Sequence, residues 1–427
     1  MSCMLTIVFS FVLRILLILW TEQYRTLAAV AKDAAGSSAT SPGVTVTVSA
    51  SATALVSSGG SGMLYPNVGW TALPNTAIQN YCPDYSVYSV RGGSDCGAVV
   101  FDWSSAWNDT KRNRMVLWGG GHGDYHGNEI YTLDIRTGKM ARATNPSVPW
   151  ANCSPTNADG TPSIRHTYDT MVYVGGTHDY YYQWGGAMNG CGFTDDHTYT
   201  LQPDLKTWSI TANHEAGTGF PVGQLGVGAD YDSITDRIYM IDIGSFGYFD
   251  AKTNEYRSLS TMTQVDYHQT CGVDHDNRLF VCVGANKYYK WDLKRANPVQ
   301  QVGTLSGCGA AFTSASPYMA YYRYRRQFAL WAGGNGVFLL DAKANSCTTV
   351  NFAGGPTQIN ACCGLDSKLF GYYPDLGVFA LVTNIPSQNA YILRLDAGAG
   401  GCVPASSATL EIAPMHRVAS ICKGSTT

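Results

Sequence analysis

Between residues 97 and 396, short apolar runs alternate with polar turns in an order that repeats. An apolar run meets a polar turn that frequently carries Asp and a basic residue. A second run ends in small residues, and a third carries an aromatic. The first unit spans residues 98–144, with a turn at 108–114 and runs at 115–121 and 130–134. The second has runs at 168–174, 180–186 and 198–201, followed by Trp208. The third covers 231–239, 247–250 and Tyr256, and the fourth 273–280 and 288–292. The fifth covers 324–334 and 337–341, and the sixth 373–379 and 391–396. Runs of this length, bounded by Asn, Asp and Gly, predict β-strands rather than helices.

The N-terminal region lacks this pattern. Residues 4–20 are apolar, broken by Arg14, and a small-residue stretch with an Ala-x-Ala pattern ends at Ala31. This predicts an export signal over residues 1–31, with a membrane anchor as the competing reading. The absence of a basic residue before Arg14 counts against the signal. Residues 32–63 form a Ser/Thr/Ala/Gly-rich linker. A single domain is expected over 64–427.

Composition agrees with many short strands. Gly accounts for 46 of 427 residues and aromatics for 12%, while charged residues are only 14%. With a net charge of −3 and no basic stripe, nucleic acid is excluded as the expected partner. Of 13 Cys, one (Cys3) lies in the expected signal, leaving an even number for an oxidising, extracytoplasmic compartment. Cys82–Cys96 and Cys153–Cys191 are the expected bridges, because each pair brackets one loop region. Cys362 and Cys363 are expected to find separate partners, with a vicinal disulfide between them as the alternative. No C-x-x-C zinc spacing occurs.

The run Trp118-Gly119-Gly120-Gly121-His122-Gly123-Asp124-Tyr125-His126-Gly127-Asn128-Glu129-Ile130-Tyr131 ends one strand in glycines and opens the next as Asn-x-x-Tyr. With a period of about 50 residues and paired glycines at 185–186 and 333–334, the chain resembles kelch repeats. The resemblance implies an all-β, kelch-type β-propeller, each unit being one four-stranded blade. Units three and four depart from it, with Asp242-Ile243-Gly244 and Val283-Gly284-Ala285 at the Gly-Gly place. The sixth unit lacks an outer strand, which Gly69-Trp70-Thr71-Ala72-Leu73 would supply, closing the ring. Six blades are favoured. Seven stay open if residues 64–97 and 397–423 contribute more strands.

Blade geometry sorts seven of the nine His, leaving His214 and His416 unplaced. Second-to-third loops and interblade links share one face; first-to-second turns share the other. His122, His126, His166 and His268 fall on the first face, and His178 and His275 on the second. His197 opens a third strand, where a structural role is expected. The candidate catalytic residues are His122, Tyr125, His126, Arg165, His166 and Tyr168. The candidate substrate-binding residues are Asp124, Asn128, Tyr267 and His268.

This set suits β-elimination on a uronate polysaccharide. Arg165 would neutralise the carboxylate, His122 or His166 would act as base, and Tyr125 or Tyr168 as acid. The palette resembles that of propeller-type lyases such as ulvan lyases, in chemistry and fold rather than by a shared motif. A non-catalytic propeller that binds a glycan or protein fits equally well. No cofactor is expected. A divalent or copper ion at His122, His126, His166 and His268 would make a metal-dependent oxidase a minor alternative. Kelch propellers include galactose-oxidase-like enzymes, but no Cys lies clearly on the His-bearing face. Asp124, Asp169 and Asp266 keep hydrolysis open. The expected partner is a polysaccharide or cell-surface glycan, with membrane contact only through an uncleaved N-terminus.

Overall fold

The computed structural model describes residues 64–397 except 91, 148–152, 177, 189, 191–196, 214–227, 243, 264–267, 357–358 and 360–367, plus the backbone of four short strands between 25 and 46. The chain divides into two compact units, Met1–Gly62 and Met63–Thr427. In the first, Arg25–Leu27 pairs with Val44–Val46 and Val30–Lys32 with Ser38–Thr40, both antiparallel. The apolar segment 4–20 lies outside the described residues. Among the described residues, no helix is long and apolar enough to cross a membrane.

The second unit is a six-bladed β-propeller of four-stranded antiparallel sheets. Blade 1 runs Ser105–Asp109, Arg114–Trp118, Tyr131–Asp134, Lys139–Arg142 from axis to rim. Blade 2 runs Val172–Val174, Tyr180–Trp184, His197–Leu201, Trp208–Asn213. Blade 3 runs Gly228–Asp232, Arg237–Asp242, Ser245–Asp250, Glu255–Thr261. Blade 4 runs Thr270–Asp274, Leu279–Gly284, Lys287–Asp292, Gln301–Gly303. Blade 5 runs Tyr318–Tyr322, Gln327–Trp331, Gly336–Asp341, Ser346–Asn351. Blade 6 runs Phe370–Tyr373, Val378–Leu381, Tyr391–Arg394 and takes its rim strand, Gly69–Ala72, from the N-terminal side. Trp70 pairs with Leu393 across that closure and meets Trp331 of blade 5 at 6.1 Å between rings. Blade 1 differs in one respect from the pattern read in the sequence. Ala98–Phe101 is a helical turn, and the inner strand starts only at Ser105.

Strand-ending aspartates explain the recurring polar turns. Asp232 accepts from the Ile234 and Thr235 N–H groups, and Asp274 from Asn277 N–H. Such side-chain bonds stabilise a turn locally. The residue that re-enters the next strand then sits at positive φ: Asn113 54°, Asp236 58°, Arg278 61°, Arg326 57°. The second strands are buried on both faces, as Met115–Trp118 shows, so they read as unbroken apolar runs.

The core lies between neighbouring sheets. Trp107, Trp118 and Trp208 cluster where blades 1 and 2 meet, and Phe246 stacks on Trp291 where blades 3 and 4 meet. Polar clasps cross each seam. Arg112 bonds Asp179 at 2.7 Å between blades 1 and 2, and His178 approaches Asp236 at 3.6 Å between 2 and 3. Arg278 pairs with Asp232 between 3 and 4, and Tyr321 donates to Asp276 at 2.6 Å between 4 and 5. Arg325 pairs with Asp396 between 5 and 6, and Tyr373 donates to Asn108 at 3.0 Å between 6 and 1.

Disulfides join Cys82–Cys96, Cys271–Cys282 and Cys308–Cys347. The first was expected. Cys271 and Cys282 sit opposite each other in one hairpin, a register the spacing alone does not reveal. Cys153 is disulfide-bonded; Cys191, Cys362, Cys363, Cys402 and Cys422 lie outside the described residues.

Candidate functional site

The loop at residues 119–130 of blade 1 meets the link into blade 2 at residues 163–170, and glycine makes the meeting close. A Cβ on Gly120 would lie 2.4 Å from the Ala98 carbonyl, and one on Gly186 1.9 Å from the His166 carbonyl. Both have positive φ, 94° and 87°. Only glycine tolerates that backbone against another main chain. Gly120 N–H donates to Arg165 O at 3.1 Å, and His166 N–H to Ala187 O at 3.0 Å. The link is thus threaded between two strand ends, with the His166 side chain delivered to the loop.

His166 Nε2 lies 3.0 Å from Asp124 Oδ2. Burial holds the His166 imidazole below its ordinary pKa, against the pull of Asp124. The hydrogen bond from His166, more than the opposing burial, keeps the Asp124 carboxyl low. A neutral imidazole beside a carboxylate must donate from Nε2, which leaves Nδ1 as the lone-pair nitrogen. The His122 ring meets the His166 ring edge-on at 5.1 Å. His122, Asp124 and Tyr168 are all half-buried. Tyr168 stands edge-on to His166 at 6.0 Å.

Two residues not singled out in the sequence complete the cluster. The Trp103 ring lies 4.8 Å from His166. Trp103 and Tyr168 both have a φ of 44°, an uncommon conformation for aromatics, and are joined by a 2.7 Å bond from Tyr168 N–H to Trp103 O. Strain of this kind concentrates at functional sites. Asp102 is 4% exposed and its Oδ2 has no hydrogen-bond partner. Burial, then the charge of Asp124, pushes its carboxyl up to about 8. Neither residue carried a signal in sequence, because each gains its role from a backbone approach made by distant segments.

The remaining candidates are placed otherwise. Tyr125 is fully buried, and its hydroxyl donates to Glu129 at 2.6 Å. Burial, reinforced by Glu129, drives its pKa far up. Arg165 is 0% exposed. Its guanidinium donates to Ser163 O and Pro155 O and lies over the Tyr199 ring. The clamp expected of Arg165 and the acid role considered for Tyr125 thus fall on side chains that are fully buried and bonded within the protein. Asn128 donates to Ser147 and Thr161 and accepts from Ser147 N–H, tying the loop to its link. His126 packs against the segment at 90–94, where its N–H donates to Val90 O. Burial lowers its pKa.

His268 lies in the link into blade 4, with its carbonyl against Gly284 as His166 O lies against Gly186. Among the described residues, no three His, Cys, Asp or Glu are gathered as a metal-ligand set. Asp169 is 2% exposed and bonded to Lys368 and Cys271 N–H. Tyr267 and Asp266 lie outside the described residues.

No protein-family model matches the chain, and no curated protein matches it. Among solved structures, it is similar to a chain of a nidogen/laminin complex at 11% identity and a TM-score of 0.37, covering 58% of this chain and 79% of that one. It is also similar to an auxiliary nutrient binding protein from Bacteroides thetaiotaomicron at 13% identity and a TM-score of 0.46, covering 76% and 75%.

Proposed function

We propose that this chain is an exported kelch-type propeller that binds carbohydrate at the His122–Asp124–His166 cluster. The observation that carries this reading is Trp103, half-buried and held at 44° in φ, with its ring beside a histidine already bonded to a carboxylate. An aromatic face beside fixed acceptors suits a sugar ring, which offers C–H groups to one and hydroxyls to the other. Asp124, half-buried and ionised, accepts from hydroxyls. With Arg165 buried and Asp124 ionised, the site favours a neutral glycan over a uronate.

Calorimetry with neutral and uronic oligosaccharides tests this. Asp124→Asn and Trp103→Phe should each weaken neutral-glycan binding about tenfold. Binding unchanged in both variants, or no binding by the folded protein, would overturn the reading. Export is supported by the disulfides. The mass of the mature secreted chain checks it, since an intact Met1 would count against a cleaved signal.

A second reading, uronate lyase, is supported by the His122 ring against His166. In it, His122 is the base and Tyr168 the acid. Ultraviolet absorbance from unsaturated uronate, lost in His122→Ala, would support it. No rise on any uronate polymer would eliminate it.

A further inference from the structure

An axial cavity of about 560 Å³ opens on the face opposite His166, among the first-to-second turns. All six inner strands contribute to its wall. The next-to-last residue of the inner strand is Tyr173, Tyr231, Tyr321 and Tyr372 in blades 2, 3, 5 and 6, and all four line the cavity. Three of their hydroxyls are committed: Tyr173 donates to Asp179, Tyr231 to Asp236 and Tyr321 to Asp276, at 2.7, 2.8 and 2.6 Å. Those bonds fix the rings and leave the aromatic surface as what a ligand meets.

The charges in the wall decide what ligand that is. Lys368 contacts Asp169 Oδ1, Asp169 O and Ala229 O, which engages its three N–H groups. It has no donor left for an anion. Asp230 is half-buried, and its oxygens accept only from Val273 and Tyr231 N–H. No cation pairs with it among the described residues. Lys368 and Asp169 cancel, so Asp230 leaves the inner wall negative. Of the carboxylates outside the tyrosines, Asp179 is matched by Arg112 and Lys111, and Asp232 by Arg278.

We propose that this cavity binds a small organic cation, a primary or quaternary amine. Asp230 is its counter-ion, and the tyrosine rings supply cation–π contact. The site lies on the opposite face from the carbohydrate cluster and does not depend on it.

Calorimetry at low salt with n-butylammonium and tetramethylammonium, against 1-butanol, tests the proposal. Both ammonium ions should bind, with butanol at least about tenfold weaker. Asp230→Asn, which keeps an acceptor for Val273 N–H, should weaken ammonium binding about tenfold. Ala320→Met, which fills the wall, should abolish it while near-ultraviolet circular dichroism stays native. No ammonium binding by the folded wild type would overturn the proposal. So would equal binding of butanol, or undiminished binding in both variants. Failure of the carbohydrate reading would appear in the glycan titrations and leave these measurements unaffected.

Discussion

The two faces of the propeller use the same strands and turns yet treat buried charge in opposite ways. On the face of first-to-second turns, carboxylates cross a seam to a partner. Asp232 meets Arg278, Asp179 meets Arg112, and Asp396 meets Arg325. On the His166 face, Asp102 is buried with an unpartnered Oδ2, His166 is held neutral, and Trp103 and Tyr168 carry strained backbone. Compensated charge marks the face that holds the ring together. On the His166 face the buried groups are instead kept neutral, and on the clasp face Asp230 is an exception that has no cation beside it among the described residues.

The largest expected effect breaks the compensated side. Asp232 is fully buried, and Arg278 nearly so. Removing one partner strands a buried charge. Arg278→Leu should cost about 3 kcal/mol in urea unfolding. The pH dependence has a definite sign. Burial raises the Asp232 pKa, but His275, Arg278 and Thr235 outweigh it and hold the carboxyl low. Asp179 is likewise held low, by Arg112, Lys111 and Tyr173. A lowered folded pKa contributes stability above the unfolded value, near ~4, that is lost as pH falls through the folded value. Wild-type stability should therefore drop on acidification below about pH 4, and Arg278→Leu should flatten that drop. An equally steep acid limb in the variant would mean that the clasps do not set it.

Next comes the junction that delivers the site. Gly186→Ala would put Cβ 1.9 Å from His166 O at a φ of 87°. A cost of about 1–3 kcal/mol is expected, with loss of glycan binding because the link must shift. Gly244→Ala, also at positive φ but with open space around it, should cost less and leave binding intact. Equal effects would show that backbone strain, not the close approach, sets the requirement.

These contrasts also show which parts of the molecule could be read from the chain. The strand order and the closing strand were legible, because Trp70 sits where a rim strand carries its aromatic and the turns repeat Asp with Asn, Gly or Arg. His122 and His166 could be placed on one face by counting loops. Arg165 could not be placed in depth, because its burial under Tyr199 and its bonds to Pro155 and Ser163 come from tertiary packing. Trp103 and Asp102 went unnoticed for the converse reason: nothing near them in sequence sets them beside His166. Cys308–Cys347 joins residues 39 apart, a partnership fixed by the ring and not by local spacing.

A smaller effect, of opposite sign, sharpens the comparison on the His166 face. Burial, then Asp124, raises the folded pKa of Asp102 to about 8. Such a group contributes stability that is fully present below the unfolded value, near ~4, and is lost as pH rises through about 8. Asp102→Asn removes the ionisation. It should match the wild type below pH ~4 and exceed it by at least about 1 kcal/mol above pH ~8. Thermal unfolding across that window decides. A variant no more stable at alkaline pH would mean that Asp102 ionises freely, and the contrast between faces would rest on Trp103 and His166.

The smallest effect lies within the clasps. Lys111 also pairs with Asp179, but its side chain is 45% exposed and Arg112 holds the same carboxylate in two bonds. An exposed ammonium gains little from such a pair, because water screens it and ordering the side chain costs entropy. Lys111→Ala should change stability by less than about 0.5 kcal/mol, although it belongs to the same cluster as Arg112. Arg112→Ala should cost several times more, since it also serves Asp109. If the two substitutions cost the same, net charge near Asp179 would be what stabilises the seam. If they differ as expected, it is the guanidinium shared between Asp109 and Asp179 that joins blade 1 to blade 2, and the exposed lysine only borders it.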